Sequence, residues 1–369
     1  MRTDIGLYVH VPFCVRKCNY CDFASFSDFD NFREKYINKL ASEIRSYKDK
    51  GLSLNTVFFG GGTPSLLSAR EIDLINDAIR DTFSVNSDCE FTLEVNPATL
   101  TPDKLSCFID AGVNRFSIGI QSIHQNELKI LGRIHSFEDF LSTYKMIRAR
   151  GVDNVSVDLM FGLPEQTTDS FKATLAKILS LEPEHISAYG LIVEEGTPFF
   201  KERKNLRLPT EDIEREMYFT ACEILYKSGY EHYEISNFAK PGKRCLHNMK
   251  YWQNEEYVGV GLSAYSYLDG VRYGNSRKKE EYFLDLGRDY DKVSDADEAF
   301  ERVMLALRLS DGISLADYEK RYGYSFFVGR EEKIKILAQN GFLTVNSERI
   351  RLTEKGFWVS NTLITDLLS

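Results

Sequence analysis

Short apolar runs alternate with longer stretches of helical period through the first 230 residues of this chain. The runs are GLYVHV (6–11), NTVFFG (55–60), CEFTLEV (89–95), RFSIGI (115–120), NVSVDLMFG (154–162) and HISAYGLIV (185–193). β-Branched and aromatic residues dominate them, as pleated strands require. Between them, NFREKYINKLASEIRSYKDKG (31–51), TPDKLSCFIDAG (101–112) and SFEDFLSTYKMIRARG (136–151) repeat apolar positions at the spacing of an amphipathic helix. Thr101 followed by Pro102 marks a helix N-terminus, and Gly51, Gly112, Gly151 and Gly229 stand where C-caps want positive φ.

Six strand–helix units in succession predict parallel strands joined by right-handed crossovers. A complete eight-unit barrel takes about 250 residues, whereas the sixth unit here ends near Gly229. The expected fold is therefore α/β, a partial (β/α)6 barrel of the TIM type over residues 1–230. Its ligands should collect at the C-terminal ends of the strands. Residues 231–294 lose the alternation and read as an irregular, aromatic connection. Helical spacing returns over 295–369, in DEAFERVMLALRLSDGI, SLADYEKRYG and REEKIKILAQNGFL, ahead of ERIRLTEKGFWVSNTLITDLL. This predicts a helical, winged-helix-like module.

Charge narrows what these parts can do. The formal net charge is −9, and residues 295–369 carry twelve acidic and ten basic side chains. Neither figure supplies a basic track for phosphates, so a nucleic-acid partner is not expected. No apolar run approaches the roughly 18 residues of a membrane span. The opening MRTDIGLYVHVPFC lacks the order of a secretory leader, and the expected location is the cytoplasm. Seven cysteines, an odd count, argue against a disulfide framework. Cys89, Cys107 and Cys222 lie among apolar neighbours and read as packing residues.

The other cysteines carry chemistry. FCVRKCNYCDF (13–23) places Cys14, Cys18 and Cys21 in one loop directly after the first strand. One reading is structural zinc, with His10 or Cys245 as fourth ligand. The other is a 4Fe–4S cluster on three thiolates, with one iron left to a small chelating molecule. Gly60-Gly61-Gly62-Thr63 follows the second strand. There glycines admit close backbone approach, and consecutive N–H groups can cradle a carboxylate.

Cys-x3-Cys-x2-Cys followed by GGGTP resembles the radical S-adenosylmethionine (SAM) superfamily. The resemblance implies the cluster reading, with the amino and carboxylate groups of SAM on the open iron. It also implies an electron donor wherever the radical step is used. Glu94 in LEVNP, Gln121 in SIGIQS, Arg133 in LGRIHS and Asp158 in VDLMFGLP fall at or near the same strand ends. Together they match the oxygen-independent coproporphyrinogen III oxidases. On that resemblance Tyr8, Gly61 and Glu94 hold the cluster-bound nucleotide, and Tyr20 joins the SAM-contacting set. Gln121, Arg133 and Asp158, with Gly62 and Thr63, correspond to a second-nucleotide site; a single pocket for one nucleotide fits them as well.

Two departures count against the oxidase itself. The oxidases place a fourth cysteine where this chain has Phe23, and they carry a long extension where thirteen residues precede Cys14 here. In HYEISNFAKPGKRCLHNMKYW (232–252), His247-Asn248-x-x-Tyr251-Trp252 resembles the HNxxYW element of the HemW-type haem chaperones. That resemblance implies haem as a ligand, with His247 on the iron and Cys245 as the alternative thiolate. It also implies a haem-acceptor protein, a respiratory-chain haem protein being one candidate. The plainer reading makes His247 a hydrogen-bonded structural histidine, with Tyr251 and Trp252 in the core.

Overall fold

The computed structural model describes residues 4–368. Met1 to Thr3, at the head of the segment read against a secretory leader, and Ser369, at the end of the expected module, lie outside the described residues. Six parallel strands stand side by side in chain order: β1 (Ile5–Val11), β2 (Ser53–Gly61), β3 (Ser84–Val95), β4 (Arg115–Gln121), β5 (Val155–Phe161) and β6 (His185–Gly190). In β1 both faces are covered: Leu7, Val9 and Val11 are fully buried, and so, nearly, is His10. Two-sided burial explains why the sequence shows continuous apolar runs here rather than strict alternation.

Helices α1 (Arg33–Arg45), α2 (Ala69–Thr82), α3 (Pro102–Asp110), α4 (Gln125–Ile130), α5 (Phe137–Ala149), α6 (Thr168–Leu179), α7 (Pro198–Glu202) and α8 (Glu211–Lys227) follow the strands. Their N-termini are capped locally. Ser68 and Ser136 close capping boxes with Glu71 and Asp139, and Thr101 Oγ1 accepts the Lys104 N–H at 3.3 Å. The helix ends read from the sequence are therefore fixed by local chemistry.

The connection expected to be irregular is ordered instead. It contributes β7 (Glu231–Glu234), β8 (Asn237–Ala239), α9 (Leu246–Trp252), β9 (Tyr257–Val260), β10 (Tyr265–Leu268), β11 (Val271–Gly274), α10 (Lys279–Phe283) and β12 (Asp289–Lys292). β9 runs parallel to β1, pairing Leu7 with Val258, so a seventh parallel strand joins the barrel. The full sheet has the order β12-β11-β10-β9-β1-β2-β3-β4-β5-β6-β8-β7, and its outer strands pair antiparallel. Helix α9 closes the N-terminal end of the barrel. Gly6 makes room for it: a Cβ there would stand 2.9 Å from Lys250 Cδ and 3.1 Å from His247 Cε1.

The C-terminal module holds α11 (Asp295–Ala306), β13 (Ile313–Ser314), α12 (Leu315–Tyr322), α13 (Glu331–Gln339), β14 (Leu343–Val345), β15 (Arg349–Leu352), α14 (Glu354–Trp358) and α15 (Ser360–Leu368). Three strands in the order β13-β15-β14 form its wing. It docks on the barrel through the Ser310 N–H to the Tyr233 carbonyl (3.0 Å), Arg244 to Asp311 (2.8 Å) and the Tyr218–Trp358 rings, centroids 5.3 Å apart. Among the described residues, no helix is long and apolar enough to cross a membrane.

Candidate cluster and nucleotide site

The loop after β1 is pinned at several points. The Cys14 N–H bonds the Phe26 carbonyl, the Phe26 N–H returns to Pro12, and Asn19 bonds the Leu131 and Ile130 carbonyls at the C-terminal end of α4. These anchors turn Cys14, Cys18 and Cys21 toward one space, all as free thiols. Thr63 Oγ1 donates to Cys14 Sγ at 3.7 Å, and Arg133 donates to Cys18 Sγ at 3.5 Å. Burial pushes the Cys14 thiol up and holds Cys21 at about 11, so metal binding here must displace protons.

Zinc and a cluster ask different things of these residues. Ligands of one tetrahedral zinc stand about 3.8 Å apart when zinc–sulfur bonds are about 2.3 Å. The three loop sulfurs do not lie within 4.8 Å of one another. The fourth ligand that zinc would need is also missing. His10 spends one ring nitrogen on the Tyr8 hydroxyl (3.1 Å) and the other on the Ala24 carbonyl (2.8 Å). Cys245 is buried at the opposite end of the barrel, its thiol on Glu90. Phe23 is 63% exposed at the mouth of the pocket and leaves the fourth position open. The donor set fits a cluster anchored at three corners.

Beside the thiols, a cavity of about 440 Å³ runs from the C-terminal ends of the strands down to Asn248 and Trp252 of α9. Tyr20, Gly61, Gly62, Thr63, Glu94, Gln121, Arg133 and Asp158 all line it. Gly61 has φ 108° and gives its N–H to Glu94 Oε2 at 3.1 Å. A Cβ at Gly61 would stand 2.4 Å from the His10 ring, and one at Gly62 2.8 Å from the Val11 carbonyl. Packing alone thus demands these glycines, before any ligand is considered.

The carboxylates are tuned by their surroundings. Burial, followed by repulsion from Asp158, lifts Glu94 to about 8. Burial also raises Asp158, against a hydrogen bond from Ser117 Oγ at 3.0 Å. Gln121 sits at φ 68°, where the β4–β5 register slips, and its buried Oε1 has no partner. Arg133 donates to the Gly119 carbonyl, while its buried Nε is unpartnered. Left-handed backbone and orphaned polar atoms inside a pocket are costs that a ligand can offset.

Several lining residues escaped the sequence reading. Asn96 donates to Thr63 Oγ1 at 2.7 Å, and Arg115, Ser117 and Tyr189 face the same space. Tyr189 lies near the C-terminal end of β6, so the strand-end rule applied to that strand would have found it. Arg115 begins β4, buried with its Nε unpartnered, and no local signal marks it.

Two expected residues stand elsewhere. Tyr8 lines a neighbouring cavity with Phe23 and Tyr251, its ring against Phe58. Its hydroxyl meets His10 Nδ1 at 3.1 Å. His247 is fully buried in the floor, with Nδ1 on Thr56 Oγ1 and Nε2 on the Tyr251 hydroxyl, both at 2.8 Å. Burial drives it to about 3, so it is neutral. Both ring nitrogens are thus hydrogen-bonded within the fold.

Residues 8–178 match the Radical SAM superfamily, and residues 293–359 match the HemN C-terminal domain. A protein from Lactococcus lactis named "Heme chaperone HemW" is 35% identical over 98% of this chain and 96% of its own length. Proteins of the same name from Bacillus subtilis and Escherichia coli are 36% and 33% identical, covering 96% and 98% of this chain and 96% and 97% of their own lengths. Among solved structures, coproporphyrinogen III oxidase (HemN) from E. coli aligns with a TM-score of 0.87 over 99% of this chain and 90% of its own. At 23% identity that likeness shows the fold. Barrel, cysteine loop and module define a radical SAM protein, and such a domain implies a 4Fe–4S cluster and SAM. Within that superfamily, this chain belongs to the HemW family.

Proposed function

We propose that this chain is a haem chaperone: it carries a 4Fe–4S cluster and SAM, binds haem and hands it to an acceptor protein. The observation that carries the reading is near-full-length kinship with the HemW proteins. Cys14, Cys18 and Cys21 would hold the cluster. Gly61, Glu94, Gln121, Asp158 and Tyr20 would hold SAM, while Thr63 and Arg133 would orient the thiolates. When bound and reduced by an electron donor, the cluster would supply one-electron reducing power beside SAM. The chain's own part is to fix the sulfurs, bury the polar groups that grip the nucleotide and limit water.

Haem needs apolar walls and cations for its carboxylates. A cavity of about 610 Å³ between α9 and the C-terminal module offers both: Trp252, Leu309, Ile313 and Tyr318 beside Lys320 and Arg349. Trp252 lines this cavity and the cluster pocket alike, so the two ligands would lie on either side of one ring. His247 would then act on haem only by positioning Trp252 through α9. A haem titration of the anaerobically reconstituted protein, followed by absorbance, tests the proposal. Uptake of about one haem per chain and its transfer to an apo-haem protein are expected; no uptake would overturn it.

A further inference from the structure

The edge of the barrel carries a second group of metal-ligating side chains, far from the thiol loop in sequence and drawn from three elements. Cys222 lies on α8, His232 on β7 and Glu354 at the start of α14 in the C-terminal module. One ligand atom from each falls within 4.8 Å of the others, and no other such trio occurs among the described residues. We propose that Cys222, His232 and Glu354 bind a divalent cation of the zinc class, which staples the C-terminal module to the barrel.

The imidazole is prepared for this. His232 Nε2 meets the Ile235 carbonyl at 3.2 Å, and since a carbonyl only accepts, that nitrogen carries the proton. Nδ1 therefore turns its lone pair toward Cys222 Sγ, 3.9 Å away. A ring whose outer nitrogen donates to a backbone carbonyl is the usual support of a metal-bound histidine. Stacking on Phe238, centroids 4.2 Å apart, and edge contact with Phe357 hold the ring in place. Sequence alone assigned Cys222 to packing; the trio forms only when α14 docks.

A second observation points to an occupant. Tyr218, one turn before Cys222, is 5% exposed and sets its hydroxyl against the Cys222 thiol, the polar group it meets in this pocket. Sulfur, nitrogen and carboxylate oxygen make three of the four corners zinc prefers, and Tyr218 is placed to hold a water at the fourth. On binding, the Cys222 S–H bond breaks, the sulfur–metal bond forms and the proton leaves to solvent. Thiolate and Glu354 carboxylate then neutralise the dication, so no net charge is left in a half-buried site. The site does not depend on the haem reading.

The test measures bound zinc and Tm on cluster-reconstituted protein equilibrated with buffered zinc. Wild type should take up one zinc and gain about 5 °C. Glu354→Gln, an exposed change that leaves the fold alone, should weaken uptake at least about tenfold and abolish the gain. Cys222→Ala and His232→Gln should do the same. A chain with Cys14, Cys18 and Cys21 all changed to Ser should keep the zinc and the gain, which separates this site from the cysteine loop. No uptake by wild type, or equal uptake by wild type and Glu354→Gln, overturns the proposal.

Discussion

Glu90 and Glu94 lie four positions apart on the same strand, the first at the floor of the barrel and the second at its rim. At the floor, Glu90 accepts the Leu246 and His247 N–H groups at 3.1 Å each and the Cys245 thiol at 3.7 Å, fastening α9 in place. At the rim, Glu94 accepts the Gly61 N–H and faces Asp158, and its pKa climbs to about 8. Cysteine and histidine divide the same way. Cys245 and His247 have their polar atoms committed, while Cys14, Cys18 and Cys21 converge on open space. Residue type is therefore a poor guide to role in this barrel. Unspent bonding capacity is the better one.

The sharpest way to break the comparison is at the thiols. Cys14→Ser, Cys18→Ser or Cys21→Ser should each remove the cluster, read as loss of nearly all iron and sulfide, with little change in fold. Retained colour in any of them would place the cluster elsewhere. At the floor the opposite pattern is expected. His247→Ala strands Thr56 and Tyr251 and should cost about 3 kcal/mol in urea unfolding. Its haem uptake should stay within about twofold of wild type; a large loss would restore His247 as a ligand.

A smaller effect follows from Glu94 in the cluster-free protein. Between pH 4.5 and about 8, the folded chain keeps a proton there that the unfolded chain has released. The associated stability is complete below the lower value and is lost as pH rises through the upper one. Asp158, raised in the same sense, adds to this. Tm should therefore fall from pH 5 to pH 8, and Glu94→Gln should flatten that fall while weakening SAM binding. Smallest of all, Gln121→Gly relieves a left-handed residue and should stabilise the apo protein by up to about 1 kcal/mol. It should also cost SAM affinity, since strain at the rim serves the ligand.

How much of this was legible beforehand follows from the range of the interactions. The six β/α units and the Ser and Thr caps depend on neighbours a few residues away, and the sequence displays them. β9 was hidden because YVGV is four residues long and its partner, β1, lies about 250 positions earlier. The strands of residues 231–292 are equally short, and no alternation shows over three or four residues. The cysteine loop was readable as a spacing. The hydrogen bonds of Tyr8 and His247 to His10, Thr56 and Tyr251 were not readable, because they arise only when strands and α9 pack.

A three-thiol anchor would leave one iron of the cluster open to SAM. This is tested most directly by electron paramagnetic resonance of the reduced cluster, with SAM labelled by 15N on its methionine amino group. A shifted signal with resolved coupling to the label is expected. A signal unchanged by bound SAM, or protein that holds zinc and no iron at the loop, would contradict it.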